Sequence, residues 1–173
     1  MAFEWSTITY EKRNDRKWKL IGSLYIFGTL LPLLVIKNLP TGNHLLMWLF
    51  IIVWCTDTFA YVFGKILKLG KHKINKISPN KSYEGLVAGI VGSLIFGYIF
   101  SYYFLSDLKI SLLFLTPFIC VLEQASDFIE SGIKRKFKIK DSGNILPGHG
   151  GIIDRLDGLL LSTICLIAFI KFL

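Results

Sequence analysis

The run from Leu86 to Leu105 contains no charged residue. As a helix it spans about 30 Å, the thickness of a bilayer's hydrocarbon core. Four other apolar windows accompany it: Leu20–Ile36, Leu45–Phe63, Ile110–Ala125 and Leu156–Leu173. Each of those reaches spanning length only if a few polar residues are tolerated inside. The chain is 53% hydrophobic, more apolar than a soluble domain, and its apolar residues come in blocks rather than at regular intervals. These features predict an all-α integral membrane protein with about five transmembrane helices.

The formal charge of +8 does not point to nucleic acid, because of where the charges fall. Lys12, Arg13, Arg16, Lys17 and Lys19 precede the first window. Lys65, Lys68, Lys71, Lys73, Lys76 and Lys81 separate the second from the third. Lys134, Arg135, Lys136, Lys138, Lys140 and Arg155 separate the fourth from the fifth. Positive charge gathers in cytoplasmic segments, so the N-terminus and both basic loops are expected in the cytoplasm. The short connections at Lys37–His44 and Ser106–Lys109 are expected on the far side.

This gives a single polytopic domain over 1–173 in the cytoplasmic (inner) cell membrane. Residues 1–19 read as a cytoplasmic interfacial segment, with Trp5, Tyr10 and Trp18 suited to the headgroup zone. Residues 64–85 and 130–155 read as the loops that carry the active site. No small-x-small cleavage pattern comes after the first window, so it reads as a retained helix. Cys55, Cys120 and Cys165 lie far apart in apolar runs and read as buried structural thiols.

Polar residues stand where lipid should be. Asp57 interrupts an apolar helix. Such a group either fixes packing by an inter-helix hydrogen bond or marks function. Glu123, Asp127, Glu130 and Lys134 recur at spacings of three and four, forming one polar stripe on a helix. Glu130 and Lys134 suit an i,i+4 pair, whereas Asp127 is deeper and suits a cation. Asp154 and Asp157 share one face of a first helical turn, where the helix dipole favours each of them. Three aspartates brought together by adjacent helix ends suit a hard ion such as Mg2+. Zn2+ is disfavoured, since no cysteine or multi-histidine set lies nearby.

Before Asp154 comes Pro147-Gly148-His149-Gly150-Gly151. Its glycines allow close backbone approach, and free amides at the next helix start suit an anion. His149 is either a phosphate donor or a turn residue. In the other basic loop, Ser78, Lys81 and Ser82 either supply donors to a polyphosphate or simply cap the third helix.

The pattern Ser131-x-x-Lys134-Arg135-x4-Lys140-Asp141-x-Gly143-x-x-Leu146-Pro147-x-His149-Gly150-Gly151-x-x-Asp154-Arg155-x-Asp157 resembles the diagnostic motif of the phosphatidate cytidylyltransferases, or CDP-diacylglycerol synthases. Asp57-Thr58-x-Ala60-Tyr61-x-x-Gly64 and Ser78-Pro79-x-Lys81-Ser82-x-Glu84-Gly85 agree with it, and the resemblance runs from about Trp54 to the C-terminus. It implies that CTP and phosphatidate give CDP-diacylglycerol and pyrophosphate, with Mg2+ required and K+ able to accompany it.

By motif position, Asp127 and Asp154 would hold the metal, with Asp157, Asp141 and Lys140 completing the catalytic set. Lys134, Arg135, His149, Gly150, Gly151 and Arg155 would serve phosphates. Ser78, Lys81, Ser82 and Asp57 would bind substrate on the nucleotide side. The implied partners are the two substrates and membrane lipid, with no nucleic acid; a homodimer is compatible with the resemblance. Family members are usually longer, so the chain reads as a short form without their first transmembrane helices. Ser126 stands where the family commonly has Gly, and Glu123 where a small residue is frequent. The competing readings are a CTP-dependent polyprenol or lipid kinase, which would release CDP, and a non-enzymatic cation transporter with Asp57 and Asp127 along its path.

Overall fold

The computed structural model describes residues 1–9, 16–66, 81–139, 142–143 and 151–172, with Arg155 described by its backbone alone. Seven α-helices run through these residues: α1 (Ala2–Ile8), α2 (Arg16–Lys37), α3 (Gly42–Tyr61), α4 (Tyr83–Phe104), α5 (Lys109–Lys136), α6 (Ile153–Leu156) and α7 (Leu159–Ile170). A π-helical turn, Val62–Ile66, extends α3. No strand occurs among the described residues. The chain is an all-α membrane protein: α2, α3 with its π turn, α4 and α5 are each long and apolar enough to cross a bilayer.

The fifth apolar window departs from expectation. Instead of one spanning helix over Leu156–Leu173, the chain breaks at Asp157-Gly158. Helix α7 begins after the break and has 12 residues, so it rises about 18 Å against a hydrocarbon core of about 30 Å. The fourth window departs the other way. Helix α5 continues past Ala125 as one 28-residue element and carries the polar stripe to its C-terminal end.

Tight backbone approach holds α3 against α4. Gly85, Gly89, Gly92, Ser93, Gly97 and Ser101 form the buried stripe of α4. A Cβ on Gly89 would lie 2.8 Å from the Thr56 carbonyl oxygen, so glycine there sets the helix separation. In lipid, where apolar burial drives little, such close packing and inter-helix hydrogen bonds do the work. Thr56 supplies those bonds: its hydroxyl lies 2.9 Å from Ser93 Oγ on α4 and 3.2 Å from Cys120 Sγ on α5. Cys120 is buried, Cys55 and Cys165 are half-buried, and all three are free thiols. Leu24, Phe27 and Leu31 on α2, Val87, Val91 and Ile95 on α4, and Phe114 and Phe118 on α5 face outward, as lipid-facing surfaces must.

Two apolar clusters divide the molecule. One gathers Trp48, Leu49 and Ile52 of α3, Leu112 and Ile119 of α5, and Leu159 and Leu166 of α7. The other joins Trp5 and Ile8 of α1 to Trp18 and Tyr25 of α2 and Ile153 of α6. Trp5 and Trp18, expected in the headgroup zone, are therefore buried inside the protein. Trp5 fits against Gly22, stacks on Tyr25 and donates its indole N–H to the Trp18 carbonyl at 3.0 Å.

Candidate active site

The polar stripe of α5 meets lysines from two directions. Asp127 forms an ion pair with Lys81, which sits just before α4. The Lys81 ammonium also lies 4.9 Å from the centre of the Phe128 ring. Ser131 donates to Asp127 Oδ1 at 3.2 Å. One turn further along α5, Lys134 lies 2.7 Å from Glu130 Oε2 and donates to Asp154 Oδ1 at 2.8 Å. Lys134 thus ties the end of α5 to α6.

Helix α5 can present these groups because it ends cleanly. Ile139 donates to the Lys134 carbonyl and Lys138 to the Arg135 carbonyl, each at 3.1 Å, with Lys138 in the left-handed region at φ 58°. This is the helix-closing loop that usually takes glycine. Arg135, expected at a phosphate, is exposed and donates to the Ile139 carbonyl at 3.3 Å.

The two aspartates of the α6 region diverge. Asp154 lies in the four-residue α6, and both its oxygens are engaged. Oδ1 takes Lys134, while Oδ2 accepts the backbone amides of Ser142 at 2.8 Å and Gly151 at 2.9 Å. Burial alone would raise this carboxyl, but Lys134 and the two amides outweigh it and hold the group below its ordinary value. Asp157 sits after α6, in the turn before α7, and accepts the Gly158 amide at 2.8 Å. Burial first, then the neighbouring Asp127, Glu130 and Asp57, push Asp157 up to about 8. Ser126 donates to the Asp157 carbonyl, which locks the turn to α5.

One oxygen from each of Asp127, Glu130 and Asp157 fits within a 4.8 Å group. The three hard oxygen donors could hold Mg2+ in competition with the lysines that pair Asp127 and Glu130, and a cation there would relieve the repulsion that raises Asp157. Asp154, expected as a ligand with Asp127, lies beside this group, with its oxygens on Lys134 and the loop amides.

A cavity of about 480 Å³ opens next to Lys81. Asp57, Thr58, Ala60 and Tyr61 of α3, Lys81, Ser82 and Leu86 at the start of α4, and Gln124 of α5 line it. Asp57 and Glu123 come within hydrogen-bonding reach of each other across the α3–α5 interface, and Gln124 donates to Glu123 at 2.8 Å. Ser82 is the N-cap of α4 and accepts the Gly85 amide at 3.2 Å, the ordinary role of serine at that position.

The Gly151 turn also departs from expectation. The amides at the start of α6, expected free for an anion, are occupied by carboxylates of the chain itself. Besides Gly151 to Asp154, Ile152 and Ile153 donate to Glu4 at 2.7 and 3.1 Å. Sequence reasoning missed Glu4, Ser142 and the part Glu130 plays in the acidic group. For Glu4 the only local signal is an acidic residue beside Trp5 in an otherwise interfacial stretch. Tyr10, Ser78, Lys140, Asp141, His149 and Gly150 lie outside the described residues, as does the Arg155 side chain.

The sequence matches the cytidylyltransferase family over residues 2–173. It is 42% identical over 142 residues to a phosphatidate cytidylyltransferase of Staphylococcus haemolyticus (strain JCSC1435), covering 81% of this chain and 50% of that protein. It is 40% identical over 172 residues to a phosphatidate cytidylyltransferase of Rickettsia prowazekii (strain Madrid E), covering 94% of this chain and 73% of that protein. A relative of the same name from Staphylococcus aureus (strain COL) is 46% identical over 121 residues, covering 69% of this chain and 46% of that protein. The chain spans about half the length of these staphylococcal relatives.

Proposed function

The chain belongs to the cytidylyltransferase family, and from that membership we propose that it acts as a phosphatidate cytidylyltransferase, converting CTP and phosphatidate to CDP-diacylglycerol and pyrophosphate. The observation that carries this reading is the meeting of Asp127, Glu130 and Asp157 with Lys81 and Lys134 where α4 begins and α5 ends. A phosphate oxygen of phosphatidate attacks the α-phosphorus of CTP. A new P–O bond forms, the bond from the α-phosphorus to the bridging oxygen breaks, and pyrophosphate leaves with that electron pair. The substrate brings its own nucleophile, so the protein has to align two anions and offset their charge.

Lys81 pairs with Asp127, and Lys134 with Glu130 and Asp154; these two ammonium groups are the cations placed to meet substrate phosphates. The cavity beside Lys81, with Asp57 and Ser82 in its wall, takes the nucleotide. Asp127, Asp157 and Glu130 would hold Mg2+, with K+ as a companion, and Asp154 would be the further carboxylate that the family motif designates. When bound, the metal supplies charge neutralisation and alignment of phosphate oxygens. The distribution of basic residues supports a cytoplasmic-membrane protein with this site facing the cytoplasm, where a lipid headgroup meets a soluble nucleotide.

The test is pyrophosphate release by purified protein in detergent with CTP, phosphatidate and Mg2+, scored beside lipid-linked CMP. Both products, each requiring phosphatidate, support the transfer. Release of CDP with phosphate on the lipid identifies a CTP-dependent kinase instead, and no turnover by folded, CTP-binding protein refutes activity of this chain on its own.

A further inference from the structure

We infer that Glu4 of α1 is a positioning residue for the proposed transfer: it fixes the Gly151–Ile153 turn and, through it, the carboxyl of Asp154. The inference rests on the transferase reading for its kinetic consequence, but its geometry stands by itself.

Glu4 is 1% exposed. Its two oxygens accept the amides of Ile152 and Ile153, while the preceding amide, that of Gly151, turns the other way to Asp154. Three successive amides are thus held by two carboxylates from different elements. The Ser142 amide, also on Asp154, closes the arrangement. Hydrogen bonds to a charged acceptor are roughly twice as strong as neutral ones, so this turn is pinned rather than merely capped.

The surrounding residues leave room for this carboxylate and no more. A Cβ on Gly151 would fall 2.6 Å from Glu4 Oε1, and one on Gly143 would fall 3.4 Å from Glu4 Cγ. Two glycines of the long motif therefore accommodate a side chain from an element outside that motif. Helix α1 is itself fixed to α2 by the indole bond from Trp5 to Trp18, so Glu4 has a firm base. Losing its charge would free the turn, and Asp154 would lose the fixed relation to Lys134 that places it beside the acidic group.

The experiment compares Glu4→Gln with the unaltered full chain in detergent. Amide hydrogen exchange is followed over Gly151–Asp154. Mn2+ binding is titrated by electron paramagnetic resonance, and pyrophosphate release is measured against Mg2+. Exchange in that segment should quicken by about tenfold, on the scale of one lost charge-assisted hydrogen bond. Half-saturating Mn2+ and Mg2+ should each rise about threefold or more, while KM for CTP stays near its original value. Glu4→Asp, which keeps the charge one methylene back, should give the same changes at smaller size and serves if the glutamine variant does not accumulate. Unchanged exchange overturns the inference, as does quickened exchange with both metal dependences unaltered. If the unaltered protein makes no CDP-diacylglycerol, the transferase reading fails separately, and the exchange and Mn2+ measurements still decide the role of Glu4.

Discussion

Replacing Lys134 with methionine keeps an unbranched side chain, one atom shorter, and removes its charge. Lys134 lies 2.7 Å from Glu130 and 2.8 Å from Asp154, and the three side chains are 12%, 3% and 14% exposed. That places them among buried pairs, where removing one partner costs about 3–5 kcal/mol. Asp154 would keep the amides of Ser142 and Gly151, so the damage falls mainly on Glu130. The lower end, about 3 kcal/mol, is therefore expected. At about 2–4 °C per kcal/mol for a chain of this size, the melting temperature should fall by about 6–12 °C. Thermal unfolding in detergent, followed by circular dichroism, measures it. Adding Glu130→Gln to Lys134→Met removes the stranded charge and should recover more than half of the loss. A single variant that melts within a degree of the original would refute the reasoning, and so would a double variant that melts no higher than the single one.

Asp154→Ala should abolish CTP-dependent pyrophosphate release while leaving the protein in the membrane fraction; near-normal turnover would remove Asp154 from the site. The folded state holds the Asp154 carboxyl below its ordinary value of 3.8, so its stabilisation is fully present above that pH and is lost as pH falls below it. The melting temperatures of the original and Asp154→Asn proteins should accordingly differ near neutrality and converge in acid. Lys138→Gly relieves a left-handed backbone at φ 58° and should stabilise by about 1 kcal/mol without changing activity, read as a rise in melting temperature. Gly89→Val would drive its side chain into the Thr56 backbone and should cost about 1–3 kcal/mol, read as a fall in the same measurement.

Four of the five apolar windows were legible because a spanning helix has to be apolar along its whole length, and that leaves a mark in any stretch of sequence. The α5 stripe was legible for a related reason: Glu123, Asp127, Glu130 and Lys134 share a face by spacing alone. Contacts between distant segments left no such mark. Lys81 comes to Asp127 only because α4 packs on α5, and Glu4 comes to Ile152 only because Trp5 seats α1 on α2. The break at Asp157-Gly158 was hidden by the apolar residues on either side of it. The divergence of Asp154 and Asp157 was hidden because it lies in their partners: the backbone stays right-handed helical through Asp157 and Gly158, and only Lys134 and the amides of Ser142 and Gly151 single out Asp154.

Helix α5 bears most of the acidic group and is the least apolar of the four helices long enough to span. A segment with buried carboxylates is poorly stable in lipid by itself. The short turn from Leu105 to Leu108 joins it to α4, whose stretch from Leu86 to Leu105 has no charge, and Lys81 stands at the far end of α4 as the partner of Asp127. The two helices are thus suited to enter the bilayer together as a hairpin during biosynthesis. In that arrangement the counter-charge of Asp127 is already attached to the helix beside it, so the acidic helix would meet the bilayer with part of its charge offset from within the same hairpin.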